Sequence, residues 1–496
     1  MKIFTLAQRR QRAAGTAWGV GMARAAGTAR GVGMARAALA AGTARAAGTV
    51  TLGVAAAVVA AVLAGCSSSS SSTPNSGTPG AVPSSAAAGS GGGGSTVSTS
   101  QCGSKPGTPA TGTPIALGSI VTDQPGTSFT DIANMANAYF ACVNANGGVN
   151  GHPIKYYIAT EQTNPAQIAA DARQLVQSDH VVGIIGNTSI IECSIDSSYW
   201  AHLGYYVIDS GIAPECYSTA NSAAVNMGPR YSSDGAVQYA LSQHVSKVVF
   251  DQSNVPGTGY IAAGPAALAA AAHVPIVQLT ETVPIADANS VAIKEVDDAG
   301  PNGAVVLNFT PPEALVILQA AQKLGLEDRV KLWGCSTPCN TDFLAQSLGP
   351  KWNSKLFVNA ELTPPDSTNT AAMNLYKAIL AQYGKAVQGG IGSFSQMGFT
   401  EAEIAVHALE SVKGAYTTSS VNAAFKSVTD FNTGMLCQLW TYGSYPMHIP
   451  NNMDYTVTPQ NGKMTTAQGC TQISSVDPQI AAYRKAAGTA ALAPAP

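Results

Sequence analysis

The sequence has little charge and none of the common catalytic motifs. Only 11% of its 496 residues are Asp, Glu, Lys or Arg. It contains no G-x-S-x-G turn, no H-E-x-x-H pair and no G-x-x-x-x-G-K-[ST] loop, the motifs of serine hydrolases, zinc proteases and P-loop nucleotidases. The seven histidines are scattered, and no two have ligand spacing on one helix. We therefore expect no enzymatic activity, no metal site and no cofactor.

Basic residues are scarce outside the N-terminal region. Eight of the 26 lysines and arginines lie within residues 1–65, which contain no acidic residue. The rest of the chain has 18 basic residues against all 28 acidic ones. Because such a surface repels polyanions, this balance argues against a nucleic-acid partner.

The basic region leads into an uncharged stretch that ends at a cysteine. Residues 46–65 are rich in Ala, Val and Leu, but they are too few and too weakly apolar for a membrane span. Leu63–Cys66 resembles the bacterial lipobox, in which small residues precede a lipidated cysteine. We expect residues 1–65 to be a signal peptide with a basic low-complexity extension, and Cys66 to anchor the exported chain to the outer face of the cytoplasmic membrane. The alternative is a chance cysteine after an Ala-rich helix.

The segments on either side of the expected folded region differ from it in composition. Residues 66–112 consist mainly of Ser, Gly, Thr and Pro, with six consecutive serines after Cys66. Such a composition cannot bury a core, so we expect a disordered tether. We also expect residues 476–496 to be a flexible C-terminal tail.

Eight cysteines remain after Cys66. An even number is compatible with disulfides in an exported protein. Proximity along the chain favours Cys193 with Cys216, Cys335 with Cys339 and Cys437 with Cys470, which leaves Cys102 for Cys142. Zinc at Cys335 and Cys339 is a weaker alternative, because no second Cys or His pair lies nearby.

From residue 114 onwards, short apolar runs alternate with helical stretches. The predicted strands are residues 115–121, 154–159, 181–185, 205–209, 247–251, 276–280, 304–308 and 330–333. The predicted helices include residues 129–146, 165–178, 233–244, 259–272 and 312–324. Repeated strand–helix units predict an α/β fold, in which parallel sheets are covered on both faces. Eight units suit two doubly wound sheets better than one.

Four blocks carry a resemblance to a known family. The first block is the strand after Pro114 together with the phrase N-A-N-G-G-V-N-G-H-P-I at residues 144–154. The other three are residues 164–187, 256–260 and 312–326. In order and spacing they resemble the branched-chain-amino-acid-type periplasmic binding proteins of ABC transporters, over residues 113–475. The phrase at 144–154 is the most similar, and its glycines suit a turn with positive φ before Pro153 begins the next strand.

The resemblance implies a type I periplasmic-binding-protein fold of two lobes joined by a hinge. Lobe 1 would comprise residues 113–245 with 361–430 returning to it, and lobe 2 residues 246–360 with 431–475 returning. The implied partners are a small-molecule ligand and separate ABC permease and ATPase subunits, with the binding protein itself a monomer. The chain departs from the family pattern at Pro256, where an aromatic is expected, and in the loop of Cys335 and Cys339, which lacks the acid that often holds a ligand ammonium.

Small polar residues follow several predicted strands. In parallel sheets ligands lie at the carboxyl ends of the strands, beside helix N-termini. The predicted ligand-binding residues are Asp123, Gln124, Asn187, Thr188, Ser189, Asp209, Ser210 and Gly211 in lobe 1 and Tyr260, Phe309 and Thr310 in lobe 2. Three alternatives remain open: the hydroxyls cap helices, the two acids cap a helix or pair with Arg230, and Phe309 belongs to the core.

The expected ligand is a small polar or zwitterionic metabolite, most simply an amino acid or a related amide. Its head group would lie on residues 187–189, 210 and 211, and an apolar tail would extend toward Tyr260 and Phe309. No cluster of Lys or Arg suits a phosphate there. Urea, an aromatic acid and a sugar remain open. The alternative function is a ligand-sensing ectodomain that passes a signal to a membrane receptor.

Overall fold

The computed structural model describes residues 102–367 and 370–495. Residues 1–101 therefore lie outside it, including the predicted signal peptide, most of the predicted tether and Cys66. Within the described part of the chain, no helix has the length and apolarity needed to cross a membrane.

The first lobe is built on a mainly parallel sheet in the order β3-β1-β4-β5-β6. A short antiparallel strand, β2, pairs with the end of β1. The strands are β1 (Ile115–Gln124), β2 (Thr127–Ser128), β3 (Ile154–Glu161), β4 (Gly183–Asn187), β5 (Val207–Asp209) and β6 (Ser222–Ala224). The helices that accompany them are α1 (Thr130–Ala145), α2 (Pro165–Gln177), α3 (Glu192–Leu203) and α4 (Glu215–Ser218). Three helices from later in the chain complete this lobe: α10 (Ala371–Tyr383), α11 (Ser393–Ser411) and α12 (Thr418–Lys426).

The second lobe is built on a seven-stranded sheet in the order β13-β12-β11-β10-β9-β7-β8. Its first five strands along the chain are parallel, and the last two add an antiparallel edge. The strands are β7 (Val248–Ser253), β8 (Ile276–Glu281), β9 (Ala304–Asn308), β10 (Leu332–Cys335), β11 (Leu356–Ala360), β12 (Met453–Gln460) and β13 (Lys463–Gln472). The helices are α5 (Gly228–Ser242), α6 (Ala263–Ala271), α7 (Ala288–Ala299), α8 (Pro311–Leu324) and α9 (Asp342–Leu348). The last helix, α13 (Pro478–Ala487), packs with residues of both lobes. Two mostly parallel sheets with helices confirm the predicted α/β fold class.

Local sequence explains where these elements begin and end. The side chain of Asn164 accepts hydrogen bonds from the N–H groups of Ala166 and Gln167, and Pro165 occupies the first turn, so α2 begins there. The turn between α1 and β3 requires positive φ at Gly147, Gly148 and Gly151. A Cβ on Gly148 would lie 2.3 Å from the carbonyl oxygen of His152, so only glycine fits that position.

All four predicted disulfides are present: Cys102–Cys142, Cys193–Cys216, Cys335–Cys339 and Cys437–Cys470. The zinc alternative for Cys335 and Cys339 is therefore not supported, because both sulfurs are bonded to each other. Similarly, Cys193 and Cys216 lie close to Asp209, but their sulfurs are held in a disulfide and are not free metal ligands.

The end of the predicted tether is part of the fold. Cys102 is buried in its disulfide, and the backbone N–H groups of Lys105 and Ala110 donate to the carbonyls of Asn146 and Asn144. The prediction that the tether extends to residue 112 is therefore wrong for residues 102–112. The disulfide and these backbone bonds compensate for the low apolar content of the segment.

The predicted flexible C-terminal tail is also wrong. Asp477 is fully buried and forms an ion pair with Arg230, and α13 follows directly. Ile480 and Tyr483 on this helix are buried in a cluster that also contains Ile449 from the segment between the lobes. The sequence of α13 is only weakly apolar, so the prediction missed the few residues that it buries.

Two predicted lobe boundaries differ from the structure. Helix α5 lies within the range predicted for lobe 1, but its residues Ala236, Val237 and Ala240 pack with Phe250 of the second sheet. In the other direction, Trp440 packs in the core of the first lobe although it was predicted to return to lobe 2. Both errors have one cause. The chain crosses between the lobes at the end of a strand, whereas the changes in composition that indicate a boundary in the sequence extend over longer stretches.

Candidate functional site

Three short segments connect the lobes: Val225–Met227, the residues after Ala360, and the approach to β12 through Asn451. They are hydrogen-bonded to one another. The side-chain amide of Asn451 donates to the carbonyl oxygens of Val225 and Glu361, both at 3.0 Å. The carboxylate of Glu361 accepts from the N–H of Met227 at 2.7 Å. These three hydrogen bonds thus connect all three segments of the hinge.

A cavity lies between the lobes, and about 90 Å³ of it is open to the centre of a water-sized sphere. Apolar side chains from both lobes form most of its wall. The first lobe contributes Phe129, Ile132, Ile190, Ile212, Phe394 and Met397, and the second contributes Val255, Ile261, Val283 and Phe309. The rings of Phe129 and Phe394 meet edge to face with centroids 5.4 Å apart. This wall suits a ligand with an apolar body.

Polar groups reach the same cavity from several strand ends and helix starts. They are Thr127, Thr188, Ser210, Asn226, Ser232, Ser253, Thr258, Asn308, Thr310, Thr337 and Glu361. Glu361 is the one ionisable side chain among these lining residues of the described chain, and its exposure is 1%. The lining therefore offers hydroxyls, amides and one carboxyl group, but no basic side chain.

Two predicted residues of the first lobe line the cavity, Thr188 and Ser210. The N–H of Thr188 is held by the carbonyl of Ile120, and its hydroxyl donates to Gly186. The hydroxyl of Ser210 donates to Glu401. Burial raises the pKa of Glu401, partly offset by that hydrogen bond. Both hydroxyls are thus fixed by groups beneath the cavity wall.

Other predicted residues of the first lobe support the site from behind. The side chain of Asn187 accepts from the N–H of Ile120 at 2.8 Å, and Asp209 accepts from the hydroxyl of Ser222 at 2.5 Å. The carbonyl of Gly211 accepts from Tyr217 and Asn226. Ser189 is buried beside Thr188. These four residues shape the loops without lining the cavity.

Asp123 and Gln124, at the end of β1, do not line the cavity, although Gly126 and Thr127 of the same hairpin do. Asp123 is exposed, and the side chain of Gln124 accepts a hydrogen bond from Thr163. Neither Asp123 nor Asp209 pairs with Arg230, whose partner is Asp477. Neither strand-end acid lines the cavity: Asp209 is buried behind it, and Asp123 is exposed.

In the second lobe, Phe309 and Thr310 line the cavity, whereas Tyr260 does not and precedes the lining residue Ile261. Phe309 also packs in the core of its lobe, so the predicted ligand-binding position and the core alternative both apply to this residue. Two of these residues bond across the cleft: Thr310 donates to the carbonyl of Gly126 at 3.0 Å, and Tyr260 donates to the carbonyl of Ile212. These contacts hold the lobes in a closed arrangement.

Sequence reasoning missed Asn226, Ser232, Phe394 and Glu361. Glu361 follows the last residue of β11 and was detectable in principle, since strand-end polar residues are the signal used for the other candidates. That strand was not predicted. Phe394 comes from α11, which lies more than 200 residues after the first strand-end loop that contacts the cavity and has no local motif.

Comparisons with known proteins agree with this architecture. Residues 114–467 match the family described as Periplasmic binding protein, and the chain belongs to that family. This agrees with the predicted resemblance and with the expectation that the chain is not an enzyme, since such proteins bind solutes. No curated protein matches the sequence.

Solved structures show the same fold at low sequence identity. A branched-chain amino acid ABC transporter protein from Thermus thermophilus with bound valine has 16% identity and a TM-score of 0.62, covering 75% of this chain and 98% of its own. The branched-chain amino acid transporter substrate binding protein from Streptococcus pneumoniae in complex with isoleucine has 16% identity and a TM-score of 0.58, covering 72% and 100%. A fatty acid ABC transporter substrate-binding protein from Thermomonospora curvata has 16% identity and a TM-score of 0.62, covering 75% and 95%.

Proposed function

We propose that this protein is an exported, lipid-anchored solute-binding protein that captures an amino acid or a related amide and delivers it to an ABC importer. The observation that carries the proposal is the cavity lined by both lobes, with apolar walls and a few polar groups. A ligand that touches both lobes stabilises the closed arrangement by its higher affinity for that state.

The ligand's carboxylate or amide would lie on Thr188 and Ser210. Each hydroxyl would turn from its present acceptor, the Gly186 carbonyl or the Glu401 carboxyl, to donate to the ligand. Both residues are buried, line the cavity and come from strand ends of the first lobe. The apolar body of the ligand would then contact Phe129, Phe309 and Phe394. The absence of basic side chains from the lining argues against phosphorylated or polyanionic solutes.

The test is a thermal-shift screen of small metabolites followed by titration calorimetry. A ligand at about 100 times its dissociation constant should raise the free energy of unfolding by about 2.7 kcal/mol. Thr188→Val combined with Ser210→Ala should weaken binding of an amino acid about tenfold or more, since each loses a hydroxyl in a buried site. Ser189→Ala is the matched control, because Ser189 is buried next to Thr188 without lining the cavity. Binding by sugars alone would contradict the proposed ligand class.

Delivery to an importer is tested in cells. Loss of this protein should reduce uptake of the radiolabelled solute, and restoring it should restore uptake. Unchanged uptake, together with a changed transcriptional response to the solute, would favour a sensing role instead.

A further inference from the structure

Among the ionisable residues of the described chain, only Glu361 combines two positions. It lines the cavity between the lobes, and it lies in the second of the three connecting segments. Its Oε2 accepts from the N–H of Met227 in the first connecting segment, and its backbone carbonyl accepts from Asn451 in the third. A group that binds its carboxylate would therefore contact the hinge itself.

The charge of Glu361 has no partner among the described residues. None of the ion pairs of the described chain involves it, and no Lys, Arg or His lines the cavity. An ionised carboxylate at 1% exposure is costly unless a cation or several hydrogen-bond donors compensate it. One backbone N–H is a small part of that compensation.

Nearby titratable groups do not supply the missing positive charge. Burial raises the pKa of Glu361, the Met227 N–H lowers it and the charge of Asp454 raises it, with a net value of about 8. Tyr217 also interacts electrostatically with Glu361, and its own pKa is raised by burial and by neighbours that include Glu361. Both neighbours are neutral or acidic. The site therefore favours a ligand that brings its own cation.

We propose that Glu361 binds a protonated amine of the solute and that this contact draws the hinge segments together. The inference rests on the proposed function and deepens it: the solute is an amine with an apolar body, and its ammonium, not its carboxylate, determines recognition. With the ammonium on Glu361 and a carboxylate on Thr188 and Ser210, a zwitterion spans from the hinge to the first lobe. The aliphatic or aromatic part then lies against the apolar wall.

The experiment compares two sets of three solutes by calorimetry at pH 8. One set is L-leucine, 3-methylbutylamine, which lacks the carboxylate, and 4-methylpentanoate, which lacks the ammonium. The other set is L-phenylalanine, 2-phenylethylamine and 3-phenylpropanoate. In at least one set, we expect the amino acid and the amine to bind and the acid to bind at least about tenfold more weakly than the amine.

Glu361→Gln removes the charge and keeps a side-chain oxygen for the Met227 N–H. It should weaken binding of the amino acid and the amine about tenfold to a hundredfold, because a charge-assisted bond is lost. Glu295→Gln is the matched control, since Glu295 is a fully buried glutamate of the second lobe that does not line the cavity. Its affinities should equal those of the wild type.

Three outcomes separate the inference from the function on which it rests. If the acids bind as tightly as the amines, or if Glu361→Gln binds the amino acid like the wild type, the role of Glu361 is refuted while solute binding stands. If none of the six solutes binds and the metabolite screen finds only sugars, the proposed function fails as well. If Glu361→Gln does not fold, the wild-type comparison of amines with acids still decides the question.

Discussion

Arg230 and Asp477 form a buried ion pair with two hydrogen bonds, Nε to Oδ2 at 2.7 Å and Nη2 to Oδ1 at 3.0 Å. Arg230 lies in the first turns of α5, and Asp477 precedes α13 near the C-terminus. The pair joins residues 247 positions apart. It therefore fixes the final helix beside the connecting segments.

Asp477→Asn should destabilise the protein by about 3 kcal/mol, because it leaves a buried guanidinium without its counter-charge. The measurement is urea unfolding followed by circular dichroism. Asp298→Asn is the control: its pair with Lys294 is exposed, so its loss should cost less than about 1 kcal/mol. Equal effects of the two substitutions on the free energy of unfolding would show that the Arg230–Asp477 pair gives the C-terminal helix no special contribution to stability.

Tyr260→Phe should shift the protein toward an open arrangement of the lobes. The hydroxyl of Tyr260 donates to the carbonyl of Ile212 across the cleft, and phenylalanine keeps the ring while removing that bond. We expect about a fivefold loss of ligand affinity, typical of one hydrogen bond, and a larger radius of gyration by small-angle scattering. Tyr239→Phe is the control, since Tyr239 lies on α5 among the residues packed against the second sheet. A scattering profile unchanged by Tyr260→Phe would contradict this role.

The disulfides should differ in their contribution to stability. Removing Cys102–Cys142, which spans 40 residues, should cost about 4 kcal/mol by loop-closure entropy, whereas removing Cys335–Cys339, which spans 4, should cost about 2 kcal/mol. Double Cys→Ala variants measured by denaturant unfolding provide the comparison. Mass mapping without reduction should also find no free thiol among these eight cysteines, and alkylation of both Cys335 and Cys339 would contradict that pairing.

Stability should fall as the pH rises from about 5 to 8. Burial raises the pKa of Asp209 to about 7 and those of Glu361 and Asp454 to about 8. In the unfolded chain these groups have pKa values near 4. The folded state therefore holds more protons between these values, so its stability is complete below about pH 4 and decreases as the pH passes through 7 to 8.

Asp454→Asn should make this pH dependence less steep, because the amide mimics the protonated acid and does not titrate. Thermal melting between pH 5 and 8.5 measures the slope. Asp328→Asn is the control, since the side chain of Asp328 is 74% exposed and should leave the slope unchanged. A slope that is the same in wild type and Asp454→Asn would refute the assignment.

Cys66 should carry the membrane anchor. Metabolic labelling with a fatty acid should mark the wild type and not Cys66→Ser, and the variant should be released into the medium. Equal labelling of both proteins would show that the lipobox resemblance is misleading.

The local patterns of the chain account for much of the fold. The eight predicted strands all correspond to observed strands, with ends that shift by a few residues, because a buried parallel strand is a short apolar run bounded by turn residues. The cysteine pairs follow from proximity along the chain. Thr188, Ser210, Phe309 and Thr310 were found from their positions at strand ends, where parallel topology brings polar residues to one edge.

The direction of the side chains at the cavity and the docking of the C-terminal helix depended on contacts that no local pattern encodes. Whether Asn187 or Thr188 faces the cavity is a matter of side-chain direction at the end of β4, and Asp209 turns inward to Ser222. The docking of α13 depends on one ion pair with a residue on a distant helix. Such contacts arise only after both sheets have formed, so their partners cannot be read from neighbours in the chain.

The sequence by itself determined the α/β class, the family and the cysteine pairs, because strand periodicity, turn glycines and cysteine spacing are local properties. Only the tertiary structure decided which polar residues meet in the cavity, and it brought Glu361 there from a connecting segment. The reason is physical: a site between two lobes is assembled from crossovers and loops more than 200 residues apart, such as Gly126 and Glu361. Their proximity follows from how the lobes close, which sequence spacing does not specify.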